Sequence, residues 1–256
     1  MSLEAPLAAL AASADDRRPF LSFLERRWSR QAIWQAASAV APGLAALDLP
    51  AGRPVGLLLP NLPGAVTALL ACWLAGRIAA PLDGRRAMES LHGWRRRVDP
   101  AAIITLDLAS VFDRARGLAG AGSDCPLIVM PMAAELTFFK RLISPWLRGG
   151  GAAKRPDDVT VLRWPDLAAA PAGPTQAEVA VLLEEGARWQ PAARPWTPGE
   201  TGLLACPLSA PAALEALLGA WCGGGHLVLS PRLDARALAK VRKAVRLDLE
   251  ITAQGA

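Results

Sequence analysis

The chain has 256 residues, 52% hydrophobic and 20% charged, with 22 Gly and 22 Pro. That length can bury a core in one or two domains, and the apolar share excludes a disordered, charge-dominated tail protein. The formal charge of +5 comes from 28 basic and 23 acidic residues, a mild attraction to anionic surfaces that does not identify a nucleic-acid binder.

The amino terminus, MSLEAPLAALAASADD, carries Glu4 where an export signal needs positive charge, and Pro6 interrupts its apolar run. It is not read as a secretion signal. Residues Trp28 to Leu47 predict a helix with Ile33, Trp34, Ala37, Val40 and Leu44 on one face. The longest uncharged stretch, Val55 to Gly76, has the length of a membrane span, but Pro60, Asn61, Pro63 and Gly64 divide it. It reads as a buried strand over residues 54–59 and a helix from Ala65 to Leu74, with Gly76 closing the helix. A strand at Ile78 to Leu82, a basic helix at Met88 to Val98 and a strand at Ala102 to Leu106 follow. A helix at Ala109 to Leu118 and a strand at Leu127 to Met130 complete the first half. Strand and helix alternate with short connections, which predicts an α/β fold with mostly parallel sheets flanked by helices.

The second half is looser. Gly149 to Asp158 reads as a linker and Ala168 to Thr175 as a second break. Glu178 to Leu183 reads as a strand, and Gln190 to Gly199 as an extended connector containing three prolines. The pattern recovers with a strand at Gly202 to Leu208, a helix at Ala212 to Trp221, a turn at Gly223 to Gly225, a strand at His226 to Ser230 and a basic helix at Ala235 to Val245. The expected organisation is a first α/β subdomain over 1–148, a linker and connector over 149–200, and a second, incomplete α/β subdomain over 201–256.

The order of these segments resembles the adenylate-forming (AMP-binding) acyl-CoA synthetases, the long-chain fatty-acid type in particular. The resemblance is carried by RPVGLLLPNLPGAVTALLACWLAGRIAAPLD (Arg53 to Asp83), DPAAIITLDLASVFDRA (Asp99 to Ala115) and KRLISPWLR (Lys140 to Arg148). PGETGLLACPL (Pro198 to Leu208) and GGGHLVLSPRLD (Gly223 to Asp234) continue it. It implies the fold of that family's N-terminal subdomains. It also implies a Thr/Ser/Gly-rich loop ending in Lys, which cradles ATP phosphates, after the strand at Glu178 to Leu183. Here that strand runs into Glu184-Glu185-Gly186-Ala187-Arg188-Trp189, with no Thr, Ser or Lys, and two carboxylates repel a polyphosphate. The aromatic-Gly-x-Thr-Glu motif is absent, Ser209-Ala210 follows Pro207-Leu208 where the family has a histidine, and Ala256 is reached about where the family's enzymes are half complete.

Other constellations carry little chemistry. Gly223-Gly224-Gly225-His226 precedes a strand, whereas phosphate loops precede a helix. His92 and His226 have no Cys, His or Glu at ligand spacing, so no metal site and no cofactor is expected. Asp15-Asp16 and Asp157-Asp158 read as solvated turns or caps, and Ser209 is not in a G-x-S-x-G setting. Arg95 to Arg97 and the set Arg236, Lys240, Arg242, Lys243 and Arg246 read as solvated faces. Cys72, Cys125, Cys206 and Cys222 lie far apart, three of them in apolar stretches, and read as reduced core thiols.

One segment has a surface pattern of its own. As a helix, Phe138, Phe139, Leu142, Ile143, Trp146 and Leu147 share a face flanked by Lys140, Arg141 and Arg148. That pattern fits an interfacial helix on anionic lipid, a partner surface, or a helix packed on its own domain. The expected protein is cytoplasmic, with a peripheral place on the inner membrane left open. It is a degenerate, non-catalytic synthetase-like chain that binds a protein partner, a second copy or a membrane, and not nucleic acid or metal. The alternative is a reduced adenylate-forming ligase completed by another chain.

Overall fold

A computed structural model describes residues 12–120, 122, 124–132, 158–168, 180–189, 195–230 and 232–253. The first element is an antiparallel hairpin of β1 (Pro19–Phe23) and β2 (Arg26–Ser29), turned at Leu24 and Glu25 with Leu24 at φ +57°. Ser29 then caps α1 (Arg30–Ala46), its hydroxyl accepting from the Ala32 N–H. The helix therefore begins two residues later than the sequence pattern places it, because Trp28 and Ser29 belong to β2.

Next come β3 (Val55–Leu57), α2 (Pro63–Leu74), β4 (Ala79–Pro81), α3 (Met88–Val98), β5 (Ala102–Leu106), α4 (Ala109–Ala119) and β6 (Leu127–Met130). Pro63 opens α2, where its missing N–H costs nothing. Asp99 closes α3 in the left-handed region, held by Arg53 and Arg95, whose guanidinium nitrogens donate to its Oδ1 at 3.0 and 2.7 Å. Beyond lie β7 (Val161–Arg163), α5 (Trp164–Leu167), β8 (Thr201–Leu204), α6 (Pro211–Gly223), β9 (His226–Leu229), α7 (Ala235–Ala244) and β10 (Leu249–Ile251).

These elements build two five-stranded sheets. Sheet I has the order β4-β3-β5-β6-β7 and is wholly parallel. Its strands β3 to β6 read as largely apolar runs because both faces of the pleat are covered, while the edge strand β7 is only partly buried. Sheet II has the order β10-β8-β9-β1-β2, parallel except for the β1–β2 hairpin. It draws strands from both ends of the chain, which local periodicity does not report. The fold is therefore α/β with two mostly parallel sheets flanked by helices, as the sequence pattern predicts.

Three apolar clusters define the layers. The largest lies between the sheets and contains the buried sides of α1, α2 and α6, with Trp73, Phe20 and Trp221 among its fully buried rings. Phe20 meets Trp221 edge-on, centroids 4.8 Å apart. A second cluster packs Leu91 and Trp94 of α3 and Phe112 of α4 on the outer face of sheet I. A third sets Leu238 of α7 on Leu203 and Val228 of sheet II.

Two close approaches require glycine. A Cβ on Gly43 of α1 would lie 2.1 Å from the Leu167 carbonyl oxygen of α5. The Gly223–Gly225 turn seats the Trp196 ring, since a Cβ on Gly225 would fall 2.3 Å from its Cε3. That packing role explains the glycine run without a ligand.

At the start of α1, Arg30 is buried and donates to the Ala220 and Trp221 carbonyls at 3.3 and 3.1 Å, capping the end of α6. It also pairs with Asp16, so the residues before β1 are tied to the far end of the chain. No helix among the described residues is long and apolar enough to cross a membrane. Residues 55–76, which have the length of a span, resolve into β3, a turn and α2.

Candidate functional site

In an open parallel sheet the strands' carboxyl ends leave a crevice where the connections diverge to opposite sides. In sheet I this happens around β3: the chain leaves it for β4 on one side and then returns to β5 on the other. A cleft of about 280 Å³ lies there. Its apolar wall is supplied by Leu58 and Leu59 after β3, Pro81 and Leu82 at the end of β4, Leu208 after β8, and Leu233. Asn61, Asp83, Arg85, Ser110, Arg114 and Ser209 supply the polar groups.

Asn61 fixes one wall to the other. Its Nδ2 donates to the Cys206 carbonyl at 2.8 Å, and its Oδ1 accepts from the Leu208 N–H at 3.1 Å. One buried amide thus satisfies both backbone groups of the loop leaving sheet II. Because Asn61 sits in the loop leaving sheet I, this pair of bonds sets the width of the cleft.

The charges are arranged unevenly. Arg85 grips Asp83 with two bonds, Nε to Oδ1 at 2.9 Å and Nη2 to Oδ2 at 2.8 Å. Burial works against ionising Asp83, but these bonds outweigh it and hold the carboxyl below its ordinary range. Arg86 lies 2.6 Å from Glu184 Oε2. Arg114 donates to the Arg86 carbonyl at 2.8 Å and forms no ion pair among the described residues. Among the described residues the cleft therefore has an apolar body and one cation, Arg114, without an ion-pair partner, a combination suited to an elongated ligand with an anionic end.

The segment after residue 180 closes against the β4 edge. Ala79 N–H donates to the Ala180 carbonyl at 2.9 Å, and Leu182 N–H to the Ala79 carbonyl at 2.8 Å. Gly186 N–H donates to the Leu183 carbonyl at 2.9 Å, making a four-residue turn, and Trp189 N–H returns to the Val181 carbonyl at 2.9 Å. Among the described residues, the strand expected over Glu178 to Leu183 is only two isolated bridges, at Val181 and Leu182. Where the resemblance implies a phosphate-cradling loop, the chain makes a tight turn with Glu184 turned inward and only 5% exposed.

The surface candidates Phe138, Phe139, Lys140, Arg141, Leu142, Ile143, Trp146 and Arg148 lie outside the described residues. Ser209 reaches the cleft wall. His226 lies instead on sheet II with its Nε2 2.7 Å from Ser22 Oγ, and burial together with Arg27 lowers its pKa. Among the charges read as solvated faces, Arg95 pairs with Asp99, Arg97 donates to the Glu184 carbonyl and Arg242 pairs with Glu250, and Asp158, read as part of a solvated turn or cap, pairs with Arg116. None of the four cysteines is in a disulfide; burial pushes Cys72 up to about 12 and Cys125 and Cys206 up to about 11, and Cys222 is exposed. Asp83, Arg85 and Arg114 were not singled out from the sequence. The available signal was a charged L-D-G-R-R run directly after an apolar strand, the place where parallel sheets put their ligands.

The AMP-binding enzyme family model matches residues 9–160. No curated protein matches the chain in sequence. Among solved structures, a benzoate CoA ligase from Burkholderia xenovorans superposes with a TM-score of 0.68 at 12% identity, over 93% of this chain and 47% of that one. The A domain of a carboxylic acid reductase from Segniliparus rugosus, in complex with AMP and a co-purified carboxylic acid, gives 0.64 at 16% identity, over 91% and 45%. The N-terminal subdomain of NpsA from Klebsiella oxytoca, in complex with 3-hydroxybenzoyl-AMSN, gives 0.62 at 13% identity, over 97% and 59%. The chain spans about half the length of these structures, and likeness at such identities shows the fold.

Proposed function

Because the chain belongs to the AMP-binding enzyme family, we propose that it keeps the family's N-terminal fold as a binding scaffold and does not activate carboxylic acids itself. The observation that carries this reading is the turn at Leu183 to Gly186. In the resembling enzymes this place belongs to a loop of donors around phosphates. Here it is a closed turn with a buried carboxylate and neither a hydroxyl nor a lysine. A polyphosphate arriving there meets negative charge where transition-state stabilisation needs N–H groups and cations.

The binding role falls to two places. The cleft beside Asn61 takes an elongated acid, its apolar body along Leu58, Leu82 and Leu208 and its anionic end at Arg114. An acyl chain fits that description, in keeping with the long-chain resemblance. The segment Phe138 to Arg148 meets a protein partner or an anionic membrane surface from the cytoplasmic side.

Acid-dependent exchange of pyrophosphate into ATP, measured over a panel of aromatic and fatty acids, tests the reading. The purified chain gives none above background. Exchange that depends on one of those acids supports instead an adenylate-forming ligase, alone or completed by a second chain.

A further inference from the structure

Glu184 is held more elaborately than its turn requires. The turn is closed by backbone bonds alone, from Gly186 to Leu183 and from Leu183 to Ala187. A carboxylate at its second position adds nothing to those bonds, and burying one costs several kcal/mol unless its oxygens are met. Its oxygens find partners in a different part of the chain, Oε1 in a hydrogen bond and Oε2 in an ion pair alone, with no hydrogen bond among the described residues. Oε1 accepts from the Asp83 N–H at 2.9 Å, and Oε2 lies 2.6 Å from Arg86 Nη2. The Glu184 carbonyl in turn accepts from Arg97 Nη2 at 3.2 Å.

A backbone N–H and a guanidinium converging on two oxygens are the donor set that recognises carboxylate or phosphate from any source. The set sits at the cleft rim, since Asp83 lines the cleft and Arg114 is bonded to the Arg86 carbonyl. Its cation is not sealed in: the Arg86 side chain is 48% exposed. The neighbours of Glu184 in the turn, Glu185, Gly186 and Ala187, are exposed. The carboxylate therefore enters from the surface, on a short strap.

We propose that the Asp83 N–H and the Arg86 guanidinium form an oxyanion site at the cleft rim, with the Glu184 carboxylate as its resident occupant. A ligand bearing a carboxylate or phosphate at this rim has to displace the strap. This deepens the reading of the cleft as a ligand site and rests on it only for what such a ligand does there.

Inorganic phosphate is the probe, titrated by calorimetry at constant ionic strength and scored separately from pyrophosphate exchange by the wild type. Glu184→Ala removes the occupant and leaves its donors in place, and Arg86 stays hydrated, so the domain keeps its fold. The variant binds phosphate on the order of tenfold or more tighter than the wild type, and adding Arg86→Ala abolishes the gain. A folded Glu184→Ala with unchanged phosphate affinity overturns the proposal, as does a gain that survives Arg86→Ala. If Glu184→Ala gives no cooperative melt, Glu184→Gln keeps the shape and frees only the Arg86 charge. A smaller gain is then expected, and none at all overturns the proposal. Sodium acetate, matching the deleted group, distinguishes a general oxyanion site from one for phosphate.

Discussion

Asn61 is the residue on which the two sheets are registered at the cleft. Asn61→Ala leaves the Cys206 carbonyl and the Leu208 N–H without their partner in a buried place, where each orphaned group costs about 1–3 kcal/mol. Chemical denaturation should lose about 2–4 kcal/mol of stability. Asn61→Asp keeps the bond from Leu208 but turns an acceptor oxygen on the Cys206 carbonyl and buries a charge, so at pH 7 it should cost at least as much as Asn61→Ala. Asp16 gives a different signature. The Arg18 side chain, followed by its N–H and the charge of Arg30, holds the Asp16 carboxyl well below the usual carboxylate range. A group whose folded pKa lies below its unfolded value of about 3.9 stabilises the fold above that pH and loses its contribution as the solution is acidified. Asp16→Asn should therefore lower the melting temperature most at pH 7 and by progressively less as the pH falls below the unfolded value, measured as Tm against pH. A difference that grows toward acid would contradict the pairing.

At the scale of elements, the glycine turn before β9 tests the packing account. A Cβ at position 225 overlaps the Trp196 ring, and overpacking of this kind costs about 1–3 kcal/mol. Gly225→Ala should destabilise by that amount, and the loss should shrink in a Trp196→Ala background, because the two residues share one contact. Equal losses in both backgrounds would place the strain elsewhere. The segment Phe138 to Arg148 is tested at a vesicle surface. Phe139→Glu with Trp146→Glu should abolish flotation on anionic vesicles while leaving the thermal melt unchanged, if that face meets lipid. Two unpaired carboxylates placed in a core would lower the melt instead. A wild type that does not float removes the membrane from the proposal.

Over the whole molecule, what the sequence made legible follows a physical division. Strands buried on both faces, such as Ala102 to Leu106, are continuous apolar runs, and Met88 to Val98 alternates on a helical period, so their type and bounds can be read locally. The hairpin Pro19 to Ser29 escaped that reading because a strand of only four residues, RRWS, carries two arginines and has little pattern to show. Its place beside β9 is a pairing across some two hundred residues, such as Leu21 with Leu227. Nothing local encodes it. The cleft was half legible: the Pro-Asn-x-Pro break and the Pro-Leu-Ser run were visible, whereas the arginines became a site only when sheet I brought residues 83–86 and 110–114 together.

The central claim is that a family member with this fold has exchanged its phosphate loop for a carboxylate-bearing turn. Titration of the purified chain with ATP and magnesium by calorimetry tests it most directly. The account predicts no saturable heat at ligand concentrations up to the millimolar range, equivalent to less than about 4 kcal/mol of binding free energy. Saturable binding at micromolar concentration would contradict it, because the turn at Glu184 would then have to open to hold a triphosphate.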